Sequence, residues 1–269
     1  MPLSQKPRER LMPPPIVKHA TRGINVRLQR AGKGETMLFL HGAGGLPPWG
    51  PFCEALSAKF DLIMPEHPGF GDSDTPDVIR DVRDMAMYYL DFLDGLNLNK
   101  VHLVGTSLGG WIAATLAVRN CTQLASLALL APAGQRVKGA PMGDNFVWTP
   151  EENARNLVFN QKIAEAMLGA NMSPEDEDRA LKNRFMATKL GWEPRWHDPA
   201  LGRWLHRVKV PTLVLWGADD KLFPSVYSKP WVEGIPGAKC EIIRECGHLI
   251  HVEKAAEATG HIIKNASGR

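Results

Sequence analysis

The sequence predicts an α/β protein: a doubly wound, mostly parallel sheet with an inserted helical cap. Three observations carry this. Short apolar runs bounded by Gly or Pro recur along the chain, as strands buried on both faces of a parallel sheet require. Helical periods lie between them, and that alternation marks a sheet wound by helices on both sides. It lapses once, over residues 134–207, where helix signals stand alone.

The elements follow in chain order. Residues 1–15 include Pro13, Pro14 and Pro15 and are expected to form a flexible, extended tail. Basic residues near Met1 have no apolar stretch behind them, so a secretory signal is not expected. A turn at Arg22-Gly23 leads into a strand over 26–30. The apolar run 37–40 ends in His41-Gly42-Ala43-Gly44-Gly45, and the run 62–64 stops at Pro65. A helix over 84–96 places Met85, Tyr88, Tyr89, Phe92, Leu93 and Leu96 on one stripe. The strand 101–104 runs through Gly105-Thr106-Ser107-Leu108-Gly109 into a helix over 108–119. Strands over 127–130, 212–216 and 240–243 follow. The core is therefore expected over 16–133 and 208–269, with the cap over 134–207.

Within the cap, Thr149-Pro150-Glu151-Glu152 has the form of a capping box and opens a helix that Gly169 ends. Ser173-Pro174-Glu175-Asp176 repeats the device and starts a second helix reaching about Leu190. Trp148, Trp192, Trp196 and Trp204 fall here with Met142, Met167, Met172 and Met186. They are expected to glue cap to core, some of them also lining an apolar cavity. Trp148 and Met186, with Leu249 from the core, are the expected pocket residues.

Composition excludes several classes. With 44% hydrophobic and 23% charged residues in 269, neither disorder nor a coiled coil describes the whole chain. The net charge is +3, but residues 1–35 hold eight Lys/Arg and two Asp/Glu, a local +6, which leaves 3 − 6 = −3 elsewhere. No basic face for nucleic acid is expected. The longest apolar stretch, Leu124–Ala133, is too short for a membrane span. Cys53, Cys121, Cys240 and Cys246 lack metal-ligand spacing, and reduced thiols in a cytoplasmic protein are the expectation. No metal and no cofactor motif is found. The oligomeric state stays open.

The chemistry is expected at Ser107. At a strand-to-helix junction a serine is forced onto a tight turn, its hydroxyl raised at the carboxyl edge of the sheet, where ligands bind. The helix N-terminus beneath it favours developing negative charge. A serine hydroxyl needs a base. His248 follows the last strand on a loop at the same edge, whereas His41 and His67 sit between Gly or Pro turns that suit structural imidazoles. The base needs an orienting acid, and the loop after 212–216 offers Asp219 and Asp220, which composition does not separate.

These landmarks resemble the α/β-hydrolase superfamily, in its cap-bearing esterase and C–C-hydrolase-like branch. They are His41-Gly42-Ala43-Gly44, Glu66-His67-Pro68-Gly69-Phe70-Gly71-Asp72-Ser73, Gly105–Gly109, Trp216-Gly217-Ala218-Asp219-Asp220 with Pro224, and Gly247-His248 with Glu253, in family order over nearly the whole chain. The resemblance implies an eight-stranded sheet, Asp220 as the acid, and an oxyanion hole from the backbone N–H groups of Ala43 and Leu108. It implies a triad hydrolase of a small or medium, largely apolar carboxylic ester, working through an acyl-enzyme without metal or cofactor. Dehalogenases and epoxide hydrolases of this fold place Asp where Ser107 stands. A C–C hydrolase of vinylogous diketones is the nearer alternative; those enzymes usually have Gly-Pro-Gly after His-Gly and Trp after the catalytic His, where this chain has Ala43-Gly44-Gly45-Leu46 and Leu249. A cap arginine binds the substrate carboxylate in such enzymes, a part Arg184 could fill, although a solvated helix face is the preferred reading of that residue. A non-catalytic ligand-binding member of the fold is the third reading.

Overall fold

The structure is a computed structural model and describes residues 13–268; residues 1–12, most of the predicted tail, and residue 269 lie outside the described residues. Eight strands form one sheet among the described residues: β1 (Ile16–Thr21), β2 (Ile24–Ala31), β3 (Thr36–Leu40), β4 (Asp61–Pro65), β5 (Val101–Thr106), β6 (Leu124–Leu130), β7 (Thr212–Gly217) and β8 (Lys239–Ile243). Their spatial order is β1-β2-β4-β3-β5-β6-β7-β8. The pairs β1–β2 and β2–β4 are antiparallel and the rest parallel. Every residue of β5 and β7 is buried, as the unbroken apolar runs require.

Residue patterning anticipates seven of these strands. The eighth, β1, pairs only with β2 and is mostly exposed, so no apolar run marks it. Helices cover the sheet. One layer joins α1 (Pro51–Ser57) to the C-terminal α9 (Ala255–Ala266), and the other joins α2 (Val82–Gly95) to α3 (Leu108–Arg119). The α2 stripe buries Met85, Tyr88, Tyr89, Phe92 and Leu93, and Asp81 accepts from the N–H groups of Arg83 and Asp84 to cap it.

Between β6 and β7 the chain forms α4 (Pro150–Leu157), α5 (Gln161–Leu168) and α6 (Pro174–Gly191), then a short 3-10 turn over Leu201–Arg207. The capping box at Thr149 and Glu152 is present. The single helix expected from there to Gly169 is instead broken at Val158-Phe159-Asn160. The carbonyl of Leu157 accepts the N–H groups of His248 and Leu249, not one from the next helical turn, and Asn160 caps a fresh helix through Lys162 N–H. Two short helices, α7 (Lys229–Gly234) and α8 (Ile250–Glu253), complete the fold. No helix among the described residues is long and apolar enough to cross a membrane, and all four cysteines are free thiols.

Candidate active site

Ser107 joins β5 to α3 with φ 53° and ψ −117°, a conformation that costs a side-chain-bearing residue on the order of 1–3 kcal/mol. Its neighbours hold it there. Ser107 N–H donates to Leu130 O, and Ser107 O accepts from Trp111 N–H and Ala133 N–H. The flanking glycines are required by close approach: a Cβ on Gly105 would meet Gly109 O at 2.4 Å, and one on Gly109 would meet Leu40 O at 2.1 Å. Strand and helix can therefore cross tightly enough to lift residue 107. The Ser107 side chain does not cap its own helix and remains partly exposed.

His248 and Asp220 arrive on two loops. Asp220, 4% exposed, receives the imidazole Nδ1–H on Oδ2 at 2.7 Å, while its Oδ1 accepts from Leu222 N–H and Phe223 N–H at 2.9 Å each. Asp219 points to solvent. With the proton held on Nδ1, the Nε2 of His248 carries the free lone pair that a base needs. Nε2 is buried and has no hydrogen-bond partner, so the Ser107 hydroxyl is not bonded to it in this structure; such bonds commonly close only when substrate arrives. The Phe223 ring packs edge-on to the imidazole at 5.3 Å.

The turn after β3 lies beside Ser107. A Cβ on Gly42 would stand 3.4 Å from Ser107 Cβ, and Gly45 N–H bonds Gly42 O to close the turn around Ala43. The N–H groups of Ala43 and Leu108 donate to no described residue. Beneath the turn, His41 Nδ1–H donates to Gly42 O, His67 N–H donates to His41 Nε2, His67 Nε2–H donates to His41 O, and the Tyr89 hydroxyl donates to His67 Nδ1. Burial pushes His41 down to about 4 and His67 well below the ordinary histidine value, so both are neutral struts.

The expected pocket residues each have their own packing partners. Met186 is fully buried with its thioether against Gly69, Trp148 packs on Gly143, and Leu249 joins an apolar cluster with Ala154, Val158 and Ala164. Arg184 is exposed and donates to Phe146 O at 3.4 Å. A surface cleft of about 410 Å³ lies where Val158, Phe159 and Gln161 face Ala218, Asp219, Asp220 and Lys221. No group of three or more His, Cys, Asp or Glu among the described residues could hold a metal.

Sequence reasoning missed the contacts that lock the site to its surroundings. Glu253 accepts from Gly247 N–H at 2.6 Å and Asn160 N–H at 2.8 Å, tying the histidine loop to α5. Buried Glu66 accepts from Asp72 N–H, Ser73 N–H and the Ser73 hydroxyl, and burial raises its pKa. The motif Glu66–Ser73 was the only signal for the second of these.

Known proteins of this kind are similar over almost the entire chain. It is 29% identical over 258 residues to a 2-hydroxy-6-oxo-6-phenylhexa-2,4-dienoate hydrolase of Comamonas testosteroni, covering 86% of this chain and 87% of that one. It is 28% identical over 254 residues to a 2-hydroxymuconate semialdehyde hydrolase of Pseudomonas sp. (strain CF600), covering 87% of each. A solved serine hydrolase involved in carbazole degradation superposes with a TM-score of 0.74 at 23% identity, over 95% of this chain and 100% of its own. Residues 35–255 match the alpha/beta hydrolase fold family, and with the sheet order and the serine turn described above, the chain belongs to that family.

Proposed function

We propose that the protein is a serine hydrolase that cleaves a small or medium, largely apolar carboxylic ester. The observation that carries this is the buried Asp220–His248 pair with its unpartnered Nε2, on the same sheet edge as the strained turn at Ser107. In this reading His248 Nε2 takes the Ser107 proton as Oγ attacks the carbonyl carbon. Asp220 holds the tautomer and stabilises the imidazolium. The Ala43 and Leu108 N–H groups receive the oxyanion, a contribution of roughly 3–4 kcal/mol in comparable enzymes. The imidazolium then protonates the leaving alcohol, and water releases the acyl group. Residues 134–207 act as the cap, Trp148 and Leu249 supply apolar surface to the substrate with Met186 packed behind, against Gly69, and the protein works in the cytoplasm.

A second reading is favoured by the relatives: the Comamonas and Pseudomonas hydrolases named above carry 2-hydroxy-6-oxo-6-phenylhexa-2,4-dienoate and 2-hydroxymuconate semialdehyde in their names. The same serine chemistry then acts at a vinylogous ketone, and a C–C bond breaks in place of the ester bond. Fluorophosphonate labelling tests the shared core. Wild type should label and Ser107→Ala should not, with turnover down by several orders of magnitude and the fold retained; ester hydrolysis that survives in Ser107→Ala would refute the nucleophile. Turnover of p-nitrophenyl esters of graded length beside a vinylogous diketone separates the two readings.

A further inference from the structure

We propose that Asn183, on α6, is a positioning residue that sets the oxyanion turn, so that the helical insertion controls the rate of acyl transfer and not only access to the site. The proposal rests on the serine-hydrolase reading above and deepens it. Asn183 Nδ2–H donates to Gly44 O at 3.0 Å, and Asn183 Oδ1 accepts from Gly71 N–H at 2.8 Å. One amide thus satisfies two backbone groups, on the loops after β3 and β4, that no strand ladder pairs. Only this orientation of the amide works, because the flipped one would set its NH₂ against the Gly71 N–H.

The turn needs such an anchor. Its four residues, Gly42-Ala43-Gly44-Gly45, include three glycines, and its own backbone closes it with one bond of 3.2 Å, from Gly45 N–H to Gly42 O. Glycine backbone is permissive, so a single closing bond leaves the direction of the Ala43 N–H loosely defined. The Gly44 carbonyl held by Asn183 removes part of that freedom. Residue 45 is matched to the contact: φ is +97°, and a Cβ there would stand 2.4 Å from Asn183 Nδ2. The turn itself abuts the nucleophile through Gly42.

Neighbours on the same helix face hold α6 down without touching this turn. Lys182 Nζ donates to Ser73 O at 2.6 Å, and the Arg179 guanidinium pairs with Asp72 at 3.0 Å. They provide the control that separates docking of the helix from positioning of the donor.

The experiment compares full-length wild type, Asn183→Ala, Gly45→Ala, the double variant and Lys182→Ala. It reads the fluorophosphonate labelling rate, kcat and KM on a p-nitrophenyl ester, and the thermal midpoint. Asn183→Ala should lower kcat and labelling rate together by about tenfold, with KM within about twofold, as loss of an interaction made in the transition state requires. Gly45→Ala should lose at least as much activity, because its positive φ adds backbone strain to the lost contact, and the double variant should be no worse than Gly45→Ala alone. Lys182→Ala should keep its kcat within about twofold. Wild-type kcat in Asn183→Ala, or equal losses in Asn183→Ala and Lys182→Ala, overturns the proposal while the serine reading stands. Absence of labelling in wild type removes both.

Discussion

Asp220 Oδ1 takes two backbone N–H bonds and its Oδ2 takes the imidazole, while Asp219, one residue earlier, faces water. The side chains are identical, so burial and partners make the whole difference. Asp220→Asn should reduce turnover on the order of 10³–10⁴-fold, because an amide no longer holds the proton on Nδ1. Asp219→Asn should stay within a few-fold of wild type; a steady-state comparison of the two variants checks this, and the reverse ranking would reassign the acid. At this scale the sequence was informative where chemistry restricts the choice. A serine between two close-packed glycines and a histidine directly after the last strand are nearly forced by position. The choice between neighbouring aspartates came only through family resemblance, as did the notice given to Glu253, and Asn183 could not be singled out, because a polar residue on a helix looks the same whether it meets water or a distant backbone.

Elements meet the site through their ends. The break between α4 and α5 exists because Leu157 O serves the histidine loop, and Glu253 closes the same joint by accepting from Gly247 N–H and Asn160 N–H. Glu253→Ala should leave the sheet intact and lower kcat by about tenfold through a looser imidazole. Hydrogen exchange should show faster opening at the N-terminus of α5, and an unchanged kcat would show that Leu157 alone suffices. This joint explains why a capping box at one end and a glycine at the other suggested one continuous helix. The periodicity is local, whereas the interruption is imposed by a loop some ninety residues away. The strand β1 escaped for a related reason: at the sheet edge, half in water, it needs no unbroken apolar run.

Over the whole molecule, buried imidazoles tie stability to pH. His41 is held at about 4 by burial, and His67 and His251 are also lowered, the latter to about 4 by burial and by His248. The unfolded chain protonates these groups as pH falls through about 6.5, whereas the folded chain holds His41 and His251 neutral until about 4 and keeps His67 neutral well below the ordinary value. Stability should therefore be flat above that window and decline within it, by up to roughly 3 kcal/mol for His41 alone. Glu66 works the other way, its raised carboxyl offsetting part of the loss at the acidic end. Urea midpoints at pH 7, 6 and 5 should fall in that order, and equal midpoints would contradict neutral struts beneath the β3 turn. The positive φ at Ser107 has a further consequence for the energy of the entire chain. A glycine fits that conformation without a steric penalty, so Ser107→Gly should melt a few degrees above wild type while Ser107→Ala gains nothing. The working molecule would then be the less durable of the two, its reactive centre kept at the expense of a sturdier, silent twin one codon change away.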